Sequence, residues 1–232
     1  MNHLLEVCAI SIALLASFVP VANAQTLERA ETPMYRGISV ELPVSTHSIP
    51  MPDADQEDAT VVVIDQTGSV FLGVQPITPA ALAQRLKGNG SPVYIKADAR
   101  TVSASVQPVL DALRAAGVHT STLLTTKQTN LEPGTIVPPE GLTVSIDQAA
   151  SASSLARLQV LESRQQWSSV TVNDEQVPWA LLESKLRQLL QNRNENVISV
   201  TSAPEVQFGR LLRVIDVCRA ANAEVSLVTP KP

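Results

Sequence analysis

The residue types that most often perform chemistry are few and scattered in this chain of 232 residues. His47 lies in a proline-rich stretch and His119 in a short turn, and neither has cysteines or carboxylates at the spacing of a metal site. No Gly-x-Ser-x-Gly turn for a nucleophile occurs, and Gly88-Asn89-Gly90 is more simply a turn between a helix and a strand than a phosphate-binding loop. The sequence therefore predicts neither an enzyme nor a metal or cofactor site.

Two charged pairs with the same spacing are the next candidates. Asp111 and Arg114 are three residues apart in one helical pattern, and Asp216 and Arg219 repeat that spacing in another. On the solvent side of a helix, such pairs contribute only about 0.2–0.5 kcal/mol each, which favours a solvated surface over an active site. Cys218 falls on the apolar stripe of the second helix, which predicts a small buried hydrophobe rather than a nucleophile.

The first residues and the overall charge indicate the compartment and exclude one class of partner. Residues 1–24 contain an apolar run that ends in Ala22-Asn23-Ala24, the pattern of a signal peptide for export. The alternative is a retained N-terminal membrane anchor. The formal net charge of -5 and the aromatic content of 3% predict no nucleic-acid partner, because positive charge and stacking platforms are both scarce.

A ten-residue pattern that occurs twice indicates how the chain is organised. The segment VLDALRAAGV at residues 109–118 recurs as VIDVCRAANA at residues 214–223, and the flanking strand and helix patterns recur in the same order. Gly117 corresponds to Asn222, and both residue types readily adopt the left-handed conformation that ends a helix. The sequence thus predicts an α+β fold of two tandem copies of a small β-β-α-β-α-β domain, with the helices packed on a mixed sheet.

The predicted boundaries follow from this duplication and from the composition of the segments between the copies. They are residues 1–24 for the signal peptide or anchor, 25–58 for a proline-rich linker or arm, 59–128 for the first domain, 129–140 for a linker and 141–232 for the second domain.

The second copy is longer than the first near its start. LTVSID at residues 142–147 aligns with VVVID at residues 61–65, so that residues 148–167 are interpreted as an insertion. Trp167 and Trp179 are predicted to pack in or beside the second core. The spacing of three leucines in the insertion predicts an added short helix: Leu155, Leu158 and Leu161.

Three segments of the first copy carry a family resemblance. They are ELPVSTHSIP at residues 41–50, VVVIDQTGSVFLG at residues 61–73 and IKADARTVSASVQPVLDALRAAGV at residues 95–118. Together they resemble the periplasmic domain of the ExbD/TolR biopolymer-transport proteins, and the second copy resembles it more loosely, with Ala203 where the first has Asp98. The resemblance implies a part of a proton-driven envelope motor, whose partners are a multi-span subunit of the ExbB/TolQ type and an energy transducer of the TonB/TolA type.

The resemblance also implies which residues contact those partners. Leu42, Pro43 and Ser45 lie in the segment that matches the membrane-proximal part of the family. Asp98 follows a strand, where it either prepares the next helix, which is the favoured interpretation, or makes a partner contact inherited from the family. Glu6 becomes a proton-coupled residue if the leader is retained, because the family carries a functional aspartate in its membrane helix. If the leader is removed, Glu6 is only an acid within a leader.

Two functions of different classes remain open. The first is a non-enzymatic ExbD/TolR-like component of a proton-motive-force-coupled envelope system that acts by protein–protein interaction in the periplasm. The alternative is a free periplasmic binding module for peptidoglycan or for an extended peptide bound by strand addition. Because domains of this family act as dimers, we expect an intramolecular pseudo-dimer. The closing strands at residues 122–126 and 225–229 are the candidate edges for pairing.

Overall fold

A computed structural model describes residues 37–127, 138–147, 156–161, 169–191 and 196–229. The first part of the chain contains β1 (Ile49–Pro50), β2 (Thr60–Ile64), β3 (Val70–Leu72), β4 (Gln75–Pro76), α1 (Pro79–Arg85), β5 (Val93–Ala97), α2 (Ser103–Ala115) and β6 (Thr120–Thr125). The second part contains β7 (Glu140–Asp147), β8 (Ala156–Leu161), β9 (Ser169–Val172), β10 (Glu175–Val177), α3 (Trp179–Leu190), β11 (Val197–Ser202), α4 (Phe208–Ala220) and β12 (Glu224–Val228).

All the strands belong to one sheet, whose order is β10-β9-β8-β11-β12-β7-β6-β5-β2-β3-β4, with β1 paired to β7. In each copy a central parallel trio is extended by an antiparallel hairpin: β6-β5-β2 with β3 and β4, and β12-β11-β8 with β9 and β10. The predicted α+β fold of two β-β-α-β-α-β copies, with helices on a mixed sheet, is confirmed.

Equivalent helices end in the same way in both copies, as the duplicated sequence predicts. Gly117 after α2 and Asn222 after α4 have φ values of 87° and 61°, the left-handed conformation that these residue types tolerate. The next amide reaches back into the helix each time, from Val118 to the Leu113 carbonyl and from Ala223 to the Cys218 carbonyl, both at 2.9 Å. These bonds satisfy carbonyl groups that a helix end leaves without partners.

The helices cover one face of the sheet and share a single apolar core with it. Side chains alternate between the two faces of a strand, so Leu123 of β6 enters this core while its neighbour Leu124 points to the opposite face. The core is built from both copies, and its largest fully buried side chains are Phe208, Ile64, Leu82, Ile95, Leu113, Leu123, Ile146, Leu158, Leu182, Leu186, Ile198 and Leu212.

Strand β7 joins the two copies. It pairs antiparallel with β6 on one side and parallel with β12 on the other. The closing strands therefore do pair at their edges, but with β7 between them and not with each other. Gly141 of β7 permits this close approach, because a Cβ there would lie 2.4 Å from the Thr122 Cγ2 atom.

A second junction lies where α2 and α4 begin. Ser103 N–H donates to the Val206 carbonyl and Phe208 N–H donates to the Thr101 carbonyl, each at 2.7 Å. Two further bonds, Ala104 to Pro204 and Gly209 to Ala99, are each 2.9 Å long. Within each pair of bonds the donors are 105 positions apart and so are the acceptors. Reciprocal bonds of this kind are the pattern that a local two-fold axis produces.

The helix predicted from Leu155, Leu158 and Leu161 is wrong, because residues 156–161 form strand β8. Leu158 and Val160 are buried whereas Arg157 and Gln159 are exposed, an alternation with the period of a strand. Strand β8 pairs with β9 and β11 as β2 pairs with β3 and β5, so β8 is the true counterpart of VVVID. LTVSID, which forms β7, therefore does not correspond to β2.

The environment predicted for Trp179 is also wrong. Trp179 lies at the start of α3 and is 40% exposed. The centre of its ring lies 5.2 Å from the Arg213 guanidinium carbon. Leu182 and Leu186 supply the buried face of α3 instead. Trp167 lies outside the described residues.

Candidate functional site

The segment that carries Leu42, Pro43 and Ser45 lies against the body of the protein, and we call residues 41–51 the docked arm. Its first part runs parallel to the end of β6: Thr126 N–H donates to the Pro43 carbonyl and Ser45 N–H to the Thr126 carbonyl, both at 3.0 Å. Its last part forms β1 on β7, and Met51 N–H donates to the Pro139 carbonyl at 2.6 Å. Prolines favour the extended backbone that such pairing requires.

The docked arm packs on a small part of the sheet face that the helices leave open. Leu42 and Met51 pack against a small buried cluster formed by Tyr94, Leu124 and Ala54. Pro43 and Ser45 are buried as well, whereas Val44 is 44% exposed. Most of the predicted partner residues therefore face inward, and the exposed surface of the docked arm is formed by Glu41, Val44, Thr46, His47, Ile49 and Pro50.

Asp98 holds the start of the docked arm. Its carboxylate is fully buried after β5 and accepts hydrogen bonds from Glu41 N–H at 2.9 Å and from the Arg100 N–H at 2.9 Å. Two guanidinium nitrogens of Arg100 donate at 2.8 Å each. The bonds from Arg100 outweigh the effect of burial and hold the pKa of Asp98 well below its usual range. Asp98 thus has a structural role, but it positions the arm and does not cap α2 as the sequence suggested. Its partner contact stays a prediction.

Asp216 of α4 holds the middle of the docked arm, although it lies in the second copy. Its carboxylate accepts from Ser45 Oγ at 2.6 Å, from Thr46 Oγ1 at 2.8 Å, and from the backbone N–H groups of Thr46 and His47 at 3.2 and 2.9 Å. Burial alone raises the pKa of Asp216. The hydrogen bonds from the arm lower it by more than burial raises it, so the pKa lies below its ordinary value.

The two Asp-x-x-Arg pairs differ in a way that the sequence did not predict. Asp111 and Arg114 form the expected ion pair at 2.7 Å, and Thr229 bonds to both side chains. Arg219, in contrast, donates to the backbone carbonyls of Thr143 and Ala223 and leaves Asp216 to the docked arm. The prediction of two equivalent solvated pairs is wrong, because each aspartate reaches a residue of the other copy.

Glu140 at the start of β7 is a third carboxylate on the docked arm. It is 8% exposed, accepts a 2.5 Å bond from Ser48 Oγ and forms a 2.8 Å ion pair with Lys127. Asp98, Asp216 and Glu140 therefore bind the arm at three successive points. The sequence signal that could have revealed this is the cluster of three hydroxyl residues in VSTHS, outside any helix or strand pattern.

A cleft of about 670 Å³ opens beside the docked arm. It is bounded by the arm, by the loop after β5 and by α4, with Trp179 of α3 at its rim. Trp179 and Val44 offer exposed apolar surface to this cleft. Its charged groups are Glu41, Arg100, Arg210, Arg213 and Asp216. An apolar platform beside guanidinium groups suits a peptide segment better than a reaction.

The described residues offer little else that could react. No group of three or more metal-ligating side chains is found among them. Cys218 is fully buried as predicted, and burial raises the pKa of its thiol to about 12. Within this same part of the chain, no helix is both long and apolar enough to cross a bilayer. Glu6 and the rest of the predicted leader lie outside the described residues.

Two copies of a small α+β domain, joined by one sheet and by a local two-fold junction, define the class of this protein: a tandem α+β repeat. The family profile of the biopolymer transport protein ExbD/TolR matches residues 8–128 and again residues 132–231, and the chain belongs to this family. The family is non-enzymatic and its members are components of biopolymer transport or energy transduction, typically with ExbB/TolQ and TonB/TolA proteins as partners. Searches among curated proteins and among solved structures returned no similar chain.

Proposed function

We propose that this protein is the ExbD/TolR-type component of an envelope system coupled to the proton-motive force, and that it acts in the periplasm by protein–protein interaction. The observation that carries the proposal is the family match in both copies, which together span most of the chain. The lack of a convergent catalytic cluster in the described residues is compatible with this role but does not support it by itself.

The two copies are proposed to act as an intramolecular pseudo-dimer. Support comes from the reciprocal bonds at the starts of α2 and α4 and from the continuous sheet through β7. In a dimer of separate chains, the stability of the pair depends on concentration. Fusion of the copies removes this dependence, so one chain would supply a complete pair of domains to a motor.

The cleft beside the docked arm is the proposed contact surface for the transducer. Four residues support this surface from its protein side: Leu42, Pro43, Ser45 and Asp98. Val44 is exposed, so a partner would touch it. The multi-span subunit of the ExbB/TolQ type would contact the leader if it is retained as an inner-membrane anchor, where Glu6 would then be the proton-coupled residue.

The alternative is a free periplasmic module for peptidoglycan or an extended peptide. The ends of the sheet give little support to strand addition there. Strand β4 ends in Pro76, which has no N–H to donate, and β10 has three residues and is followed by Pro178. The alternative function is then peptidoglycan binding by a surface other than the ends of the sheet. Pull-down on purified cell wall tests it.

Photo-crosslinking in intact cells tests the proposed function. A crosslinking amino acid at Val44 should capture a transducer of the TonB/TolA type, whereas one at Val74, which is 50% exposed on the turn between β3 and β4, should not. Equal capture at both positions, or capture of cell wall alone, would refute the proposal. The intact mass of the recovered protein shows separately whether residues 1–24 are present: a species that starts at Gln25 removes Glu6 from the mechanism.

A further inference from the structure

The docked arm connects parts of the molecule that are far apart in sequence. It precedes β2 and so belongs to the first copy, yet Ser45, Thr46 and His47 bind Asp216, about 170 positions further along the chain. The arm therefore spans from its own copy to the other, and its position depends on how the two copies are paired.

The duplication shows that Asp216 is specialised for this contact. Its counterpart Asp111 is occupied by Arg114 and Thr229 and accepts no bond from the arm. In the second copy the arginine turns away to backbone carbonyls, and four donors of the arm take its place. One motif thus serves two purposes, an internal ion pair in the first copy and an acceptor site in the second.

The docked arm is held by contacts that follow one another along its length. They begin with Asp98 at Glu41, continue through Thr126 and Asp216, and end with Glu140 at Ser48 and the Pro139 carbonyl at Met51. Released as an extended chain, these residues would span about 36–40 Å. Apart from β1, none of the strands and helices described above lies within the docked arm.

We propose that the docked arm is a detachable strap, clasped to the second copy by Asp216, which can leave the body without unfolding either copy and which stays closed in mild acid. When the strap is closed, residues 41–51 are held against both copies. When open, it lengthens the tether between the body and everything that precedes residue 41.

Acid does not open this clasp, because the groups around Asp216 favour its charged form. Hydrogen bonds from the docked arm keep the pKa of Asp216 below its ordinary value despite burial. His47 Nδ1 lies 3.4 Å from its carboxylate. The other charged groups that line the same cleft are Glu41, Arg100, Arg210 and Arg213.

Hydrogen–deuterium exchange on the full chain tests the strap. In Asp216→Asn, the amides of residues 45–48 should exchange at least about tenfold faster, the effect of losing one hydrogen bond to a charged group. Amides of β5 and β11 should keep the wild-type rate. Asp111→Asn is the matched control, since it removes the counterpart carboxylate and should leave the arm protected. In the wild type, arm protection corrected for intrinsic exchange should be equal at pH 8 and pH 5.

A second variant removes the same bonds from the other side. Ser45→Ala with Thr46→Ala deletes both hydroxyl donors without altering α4, and it should release the arm as Asp216→Asn does. Combining the two changes should add little, because both remove the same bonds. The proposal is overturned if the arm stays protected in both variants, if the arm and the core strands exchange together, or if the wild-type arm loses protection between pH 8 and pH 5.

Discussion

Replacing Asp98 with asparagine should cost the protein a substantial part of its stability. The substitution keeps the shape of the side chain but removes the charge that two guanidinium bonds from Arg100 and one N–H bond from Glu41 require. Each hydrogen bond to a charged group contributes about 1.5–3 kcal/mol. The Arg100 side chain is 47% exposed and solvent screens its pairing, so the expected loss in free energy of unfolding is only about 2–3 kcal/mol.

The stability difference between wild type and Asp98→Asn should depend on pH in one direction. The folded-state pKa of Asp98 lies below its unfolded value of about 3.9. The stabilisation is therefore complete above about pH 4 and is lost as the pH falls through the folded-state pKa. The difference between wild type and Asp98→Asn should stay constant from pH 8 to pH 5 and shrink below about pH 4.

Urea unfolding followed by circular dichroism at several pH values measures both effects. The matched control is Glu183→Gln, which removes a carboxylate from an exposed pair with Arg187 and should cost at most about 0.5 kcal/mol. The reasoning is refuted if Asp98→Asn costs no more than this control at pH 7. It is also refuted if the difference widens as the pH falls.

Three further predictions concern the core and the junction. Leu158→Ala should lower the free energy of unfolding in urea by about 2–5 kcal/mol because β8 is a core strand. Leu181→Ala, at a 56% exposed position, should change it by less than about 0.5 kcal/mol. Equal effects would contradict the assignment of β8 to the core. Gly141→Ala should lower stability by about 1–3 kcal/mol because its methyl group would crowd a threonine side chain, and Gly90→Ala, with nothing within 4 Å, should not. Peptide mapping should find native Cys218 unlabelled by thiol reagents at pH 8, and rapid labelling would contradict its burial.

The duplication and the fold class could be predicted because they rest on local patterns. Helix stripes and helix ends repeat with the same residue types, and the left-handed conformations of Gly117 and Asn222 follow directly from them. The strand β8 was missed for a physical reason. Leucines three apart suggest a helix, but Leu158 and Val160 are the residues that enter the core. Their alternation indicates a strand only once the pairing with β9 and β11 is known.

The candidate site was only half predictable. The resemblance singled out the segment with Leu42, Pro43 and Ser45, which the structure shows docked on the body of the protein, and their contact with a partner stays a prediction. Nothing near Asp216 in the sequence indicates that it binds this arm, because the contact joins residues about 170 positions apart. Spacing along a helix predicted the pair with Arg219, and tertiary contacts of Arg219 with two backbone carbonyls overrode it.

The stoichiometry of the assembled system tests the central claim most directly. Native mass spectrometry of the complex purified through this chain would count the copies of the chain and show whether a multi-span subunit is bound. A single chain that supplies both domains of the pair predicts one copy in each assembly. Two copies would contradict the intramolecular pseudo-dimer, and a chain recovered without any multi-span subunit would contradict its place in the motor.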